Sequence, residues 1–159
     1  QMPMQSAFIG WKQEPDEYLA RILGHDRLEK LNPIKTFRDH DIVVSFGSDA
    51  PCTTPDPIAW MDRAVNNDNA GQAVSVQDAL RMCTYNGAWA AFDEQERGSL
   101  EAGKIADMAV LSENPYTVPK DKLSGLRVER LYLSGKSYES CREGILPMML
   151  RGLTSRNKA

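Results

Sequence analysis

From Glu14 to about Phe92 most apolar residues recur at helical spacing, interrupted by one uniformly apolar run, and after Gly98 at alternate positions, so the chain changes character near that glycine. Residues 1–13 show no clear period and read as a strand end plus loop. From Glu14 the pattern turns helical: Pro15 suits a first helical position, and Asp16 and Glu17 suit the positive end of the dipole. Tyr18, Leu19, Ile22 and Leu23 then form an apolar stripe at 3.6 spacing until Gly24 interrupts it, and Leu28 and Leu31 continue it for a short further turn. Asn32-Pro33 offers a cap and a first position for another helix through Arg38. Residues Ile42–Phe46 are too uniformly apolar for a half-exposed strand and predict a buried one.

Residues 51–57 hold three prolines and two threonines, which makes a loop. Pro57 can start a helix through about Val65, and Asn66–Gly71 is a polar connection. Ser75-Val76-Gln77-Asp78 resembles a capping box with aspartate in place of glutamate. Val76, Ala79, Leu80, Cys83, Gly87, Ala88 and Ala91 then predict the buried face of one long helix to about Phe92. Beyond Gly98 the alternating segments Ala106–Leu111, Val128–Leu133 and Lys136–Tyr138 predict strands, with Ser134-Gly135-Lys136 as a tight hairpin. Residues 141–159 read as a short helix and a frayed basic tail.

With 159 residues the chain is long enough for one ordinary domain and its core. It is too short for a complete eight-stranded α/β barrel, which takes about 250 residues. A hydrophobic content of 42% with 26% charged residues excludes a disordered chain. Nineteen basic against twenty-two acidic residues, scattered along the sequence, give no footprint for nucleic acid or an anionic membrane. Three cysteines (Cys52, Cys83, Cys141), odd in number and without a CxxC pair, argue against a disulfide scaffold or a zinc-thiolate knuckle. A reducing, cytoplasmic setting is the easier reading. No apolar run approaches the roughly 20 residues that span a bilayer. The opening Gln1-Met2-Pro3-Met4-Gln5 reads as the middle of something larger.

The stretch Asp41–Pro51 concentrates the candidate chemistry. A run of strand length ends in Gly47, and Ser48-Asp49-Ala50-Pro51 follows at once. In α/β folds reactive groups gather where strands end, because a rigid sheet holds the loops there. A carboxylate at Asp49 can bind a cation, accept a proton from bound water, or cap the next turn.

Helix, buried strand with a terminal aspartate, helix and small β module follow one another in an order similar to the C-terminal part of the amidohydrolase superfamily. Two motifs carry the resemblance. One is Gly47-Ser48-Asp49-Ala50-Pro51 followed by Pro55-Asp56-Pro57. The other is Gly98-Ser99-Leu100-Glu101-Ala102-Gly103-Lys104-Ile105-Ala106-Asp107-Met108-Ala109-Val110-Leu111, with Gly135-Lys136 closing the later hairpin. Thr84-Tyr85-Asn86-Gly87-Ala88 fits the family's last barrel helix. The combination resembles most the metal-dependent hydrolases around N-substituted formamide deformylase, over residues 1–140.

The resemblance implies an α/β chain: the C-terminal part of a (β/α)8 metal-dependent hydrolase barrel followed by part of a β-sandwich module. Residues 1–95 would be the last strands and helices of the barrel, 96–140 a β-sandwich segment, and 141–159 a C-terminal helix and tail. It implies Asp49 at the end of the eighth strand as metal ligand and catalytic proton carrier, a divalent metal (zinc in most members), and a small amide-type substrate with a non-peptide C–N bond. The family's other ligands, a His-x-His pair, a bridging residue and two further histidines, have no counterpart here. His25 and His40 read as capping or surface residues. One carboxylate does not hold a catalytic zinc, which takes about three protein ligands. The expectation is therefore a C-terminal portion that alone binds zinc weakly or not at all and turns nothing over, and that self-associates or pairs with its missing N-terminal portion. The alternative is a non-catalytic regulatory or interaction protein that keeps part of the hydrolase fold. Asp107 reads as structural, Lys104 as a solvated turn residue, and Cys52 as a loop filler. Trp60 and Trp89 read as core, and Trp11 as a pocket-lining candidate.

Overall fold

The computed structural model describes residues 2–9 and 16–138. Two small sheets and six α-helices make up this part of the chain. Strand β1 (Met2–Met4) lies parallel to β2 (Val44–Phe46), with Met2 opposite Val44 and Met4 opposite Phe46. Parallel strands need a long crossover, and helices α1 (Asp16–Leu23), α2 (His25–Leu28) and α3 (Ile34–Asp39) lie between these two.

The apolar stripe of α1 forms as predicted but is not covered among the described residues. α1 packs on α2, which buries no residue of its own, so Tyr18 and Ile22 stay exposed. α3 starts one residue later than the pattern suggests. Asn32 takes a left-handed φ of 49°, its carbonyl accepts from Ile34 N at 2.8 Å, and Pro33 becomes the cap.

The buried strand is shorter than the apolar run. Asp41 turns left-handed (φ 57°), and the Ile42 amide donates to Phe37 O at 2.9 Å, the end of α3, instead of joining a ladder. Ile42 is exposed as a result, whereas Val44 and Ser45 are buried. The chain then turns at Gly47–Thr53 and enters α4 (Pro57–Val65). There the Asp56 carboxylate accepts from Ile58 N (3.0 Å) and Ala59 N (3.3 Å), the bonds of a good N-cap.

α5 (Val76–Cys83) begins at Ser75, whose Oγ accepts from Asp78 N at 3.0 Å. The shorter aspartate bonds the Ser75 hydroxyl at 2.7 Å, so this half of the box closes side chain to side chain. The single long helix expected to Phe92 is in fact two. At Thr84 (φ −122°, ψ −90°) the hydroxyl donates to Leu80 O at 2.8 Å, a local bond that competes with the helix, and α6 (Tyr85–Ala90) leaves in a new direction. The break lets the buried Asn86 donate from Nδ2 to Val44 O at 2.7 Å, fastening α6 to β2.

β3 (Met108–Leu111), β4 (Val128–Leu133) and β5 (Lys136–Tyr138) form an antiparallel sheet, with Ala109 opposite Leu131 and Leu131 opposite Tyr138. Ser134 (φ 51°) and Gly135 (φ 74°) make the hairpin turn, both left-handed as a two-residue turn between twisted strands requires. β3 starts later than Ala106 because Ala106 O accepts from Gly135 N (2.9 Å) and Asp107 N bonds Ile105 O (2.9 Å). Between β3 and β4, a 3-10 turn at Lys120–Gly125 lies on α4, and Asn66 Nδ2 holds Lys120 O at 2.7 Å. Leu123 and Leu126 thereby share one core with Ile34, Val44, Met61 and Met82. Val110, Val128, Leu133 and Tyr138 of the sheet remain exposed. The helix and tail expected at residues 141–159, including Cys141, and the loop residue Trp11 lie outside the described residues.

Candidate functional site

The parallel register brings the C-terminal ends of β1 and β2 side by side, and Gly47 N donates to Met4 O at 3.1 Å where both strands stop. The chain after β1 is anchored by the buried Ser6, whose Oγ donates to Trp60 O on α4 at 3.1 Å. The chain after β2 carries Asp49.

Asp49 sits just past the strand end with φ 53°, a left-handed conformation that aspartate tolerates better than most residues. Its side chain is exposed, and among the described residues nothing donates to its carboxylate. Local capping falls to its neighbour, for Ser48 Oγ accepts from Ala50 N at 3.1 Å. The Asp49 carbonyl accepts from Cys52 N at 2.9 Å, and Thr53 Oγ1 donates to Ser48 O. The turn thus presents a carboxylate that the backbone does not use, which leaves its lone pairs for a proton or a cation.

The other candidates are dispersed. His25 opens α2 and His40 caps α3, both exposed, and among the described residues no group of three or more His, Cys, Asp or Glu side chains could hold a metal ion. Cys52 is an exposed free thiol beside the turn. Burial pushes the Cys83 thiol up to about 12, and its Sγ donates to Pro57 O at 3.7 Å. Trp60 and Trp89 are only half-buried, and Trp60 Nε1 donates to Thr54 O at 3.2 Å. Asp107 is structural: Oδ1 accepts from Ser134 N (2.8 Å) and Oδ2 from Arg97 Nη1 (3.1 Å).

Lys104 corrects its expectation as a solvated turn residue. Its side chain is 13% exposed, with Nζ 2.6 Å from Ser99 Oγ and 5.7 Å from the Tyr85 ring centre. The Ser99 hydroxyl and the Lys104 ammonium together hold the exposed Glu101 carboxyl below its ordinary value. A groove of about 420 Å³ runs along Arg38, Asp41, Val43, Asp78, Tyr85 and Trp89. It opens at the N-terminal end of β2, the end away from Asp49, so this groove and the unbonded carboxylate are separate features.

Sequence reasoning did not single out Ser48 and Thr53. A serine two residues before an alanine in a turn is an ST-turn signal and could have been read. Thr53 gives no such signal, because its reach to Ser48 O depends on the path of the loop.

A profile of the amidohydrolase family matches residues 2–138. The chain belongs to that family. It is 36% identical over 135 residues to N-substituted formamide deformylase of Arthrobacter pascens, covering 80% of this chain and 23% of that protein. It is 29% identical over 128 residues to 5-methylthioadenosine/S-adenosylhomocysteine deaminase of Caldanaerobacter subterraneus subsp. tengcongensis, covering 70% of this chain and 29% of that one. Among solved structures, an uncharacterised metal-dependent hydrolase from Pyrococcus furiosus superposes with a TM-score of 0.54 at 26% identity, over 64% of this chain and 21% of the other. An amidohydrolase from Thermotoga maritima gives a TM-score of 0.52 at 24% identity over 67% and 25%, a likeness of fold alone. The amidohydrolase chain described here thus spans about a quarter of the length of these relatives.

Proposed function

We propose that this chain is the C-terminal portion of an amidohydrolase that hydrolyses a non-peptide, amide-type C–N bond in a small molecule, with Asp49 as the group that moves the proton. The observation that carries the reading is the exposed Asp49 carboxylate at the C-terminal end of a parallel strand, unbonded by any described residue. The matches to a deformylase and a deaminase, whose names both describe breaking a carbon–nitrogen bond, support the reaction class. On this reading β1 and β2 are the last strands of a (β/α)8 barrel over residues 1–95, and β3–β5 belong to a sandwich segment over 96–140.

Hydrolysis of an amide needs water deprotonated as it attacks and the departing nitrogen protonated as it leaves. Asp49 is placed to accept the first proton and return it to the nitrogen, so the carboxylate ends the cycle as it began. The donor set does not fit a catalytic metal, which takes about three protein ligands, since the described residues bring no such group together. The name of the Pyrococcus relative supports a divalent metal in the intact protein. Its other ligands then come from outside this chain.

Determining the mass of the polypeptide as the cell makes it tests whether this chain is part of a longer hydrolase. In that polypeptide, Asp49→Asn should lower turnover of an N-substituted formamide or another small amide by about 10²–10⁴-fold, the usual worth of a positioned acid–base group, with unchanged circular dichroism. Near-normal turnover overturns the proton-transfer role. The exposed apolar residues of the β3–β5 sheet, Val110 and Val128 on one side and Leu133 and Tyr138 on the other, support a further reading, that the sheet is covered by the remaining part of the protein or by a second copy. Light scattering from the purified 159-residue chain should report association, and a stable monomer would count against it.

A further inference from the structure

The direction of an unbonded side chain is set by its own backbone, and at Asp49 both flanking peptide planes are held. The Asp49–Ala50 plane is held twice, by Cys52 N on Asp49 O at 2.9 Å and by Ala50 N on Ser48 Oγ at 3.1 Å. The Ser48–Asp49 plane is held through Ser48 O, which accepts from Thr53 Oγ1. The first two bonds lie within the turn itself. The third reaches across it from residue 53, just before Thr54 and the capped start of α4, where Trp60 Nε1 holds Thr54 O and Asp56 holds two helix amides. Thr53 therefore links the Asp49 turn to the end of a well-anchored helix.

We propose that Thr53 is a positioning residue for Asp49: its hydroxyl fixes the peptide plane that aims the carboxylate. The proposal rests on the proton-transfer reading of Asp49 and adds a residue that touches no reacting atom. A reactive group that is misaimed loses rate rather than binding, because displacement of about 1 Å costs on the order of 10²-fold in an aligned reaction. Thr53→Val keeps the shape and removes the hydroxyl, and Thr53→Ser returns the hydroxyl without the methyl group.

Two measurements test it. In the 159-residue chain, amide hydrogen exchange at Cys52 should speed up about fivefold in Thr53→Val, the worth of one hydrogen bond, and stay near wild type in Thr53→Ser. The Val44–Phe46 and Ile58–Ala59 amides serve as internal controls that a local loss should not move. In the polypeptide as the cell makes it, Thr53→Val should lower kcat about tenfold or more with KM little changed, and Thr53→Ser should restore it. Cys52 exchange within twofold of wild type in Thr53→Val overturns the clamp, as does a Thr53→Ser variant that rescues neither readout. Faster exchange together with an Asp49→Asn variant that turns over normally overturns the catalytic reading instead, so the two failures are distinguishable.

Discussion

Of the described glycines, Gly98 leaves the least room for a side chain, and replacing it with alanine gives a quantitative test of its packing against α6. A Cβ there would lie 2.6 Å from Ala88 Cβ and 3.1 Å from Tyr85 Cα, both on α6, and the residue's φ is 90°. Two costs add. An L-residue held at positive φ costs about 1–2 kcal/mol, and forcing a methyl group into occupied space costs about 1–3 kcal/mol. Gly98→Ala should therefore lose about 2–5 kcal/mol. At a urea dependence of about 2 kcal/mol per molar, the unfolding midpoint falls by about 1–2.5 M, measured at fixed protein concentration. Gly103→Ala isolates the first cost, since φ there is 94° but nothing lies within 4 Å of the added Cβ. It should lose only about 1–2 kcal/mol. Equal losses at the two positions would show that the approach of Gly98 to α6 contributes nothing, and the packing of module on helix would have to be redrawn.

Asp56→Ala removes the acceptor of two helix amides and should cost about 1 kcal/mol in urea denaturation, while Asp56→Asn, which keeps an oxygen there, should cost less; an alanine variant as stable as wild type refutes the cap. Cys52 should react with iodoacetamide at pH 8 well before Cys83, read by peptide mapping, because Cys52 is exposed and burial pushes the Cys83 thiol up to about 12. An unfolded thiol ionises near about 8.5, so the unfolded chain releases this proton first. The stability that Cys83 contributes is then full below that pH and lost progressively as pH rises towards 12, with the pH dependence above 9 flattened in Cys83→Ala.

What the sequence showed of this fold follows from range. The hairpin at Ser134-Gly135 and the helix start at Pro57 were legible because each is decided by residues within a few positions. The helix break at Thr84 was not, since apolar spacing continues through it and only a hydroxyl choosing Leu80 O interrupts the ladder. The late start of β2 depended on Ile42 N finding Phe37 O, a contact made by the fold and not by the pattern. At the site, the position of Asp49 past a strand was readable, but not that its carboxylate would be left unbonded while Ser48 takes over the capping. Lys104 was misread because a charged residue straight after a turn glycine looks solvated until Tyr85 and Ser99 enclose it.

The pairing of Met2 with Val44 across three intervening helices has a consequence for the order in which this chain assembles. The β4–β5 hairpin pairs residues no more than seven apart and the β3–β4 ladder residues 17 to 24 apart, whereas the β1–β2 ladder pairs residues 42 apart for three pairs of partners. Loop closure carries an entropic cost that rises with length and is met before the contacts reward it. The strand pair that ends at Asp49 therefore forms late and opens early, on a scaffold of helices that has already assembled. Mild denaturant should disorder the turn that carries Asp49 while α4 and α5 still hold, so amide exchange at Cys52 should speed up before the helical signal falls.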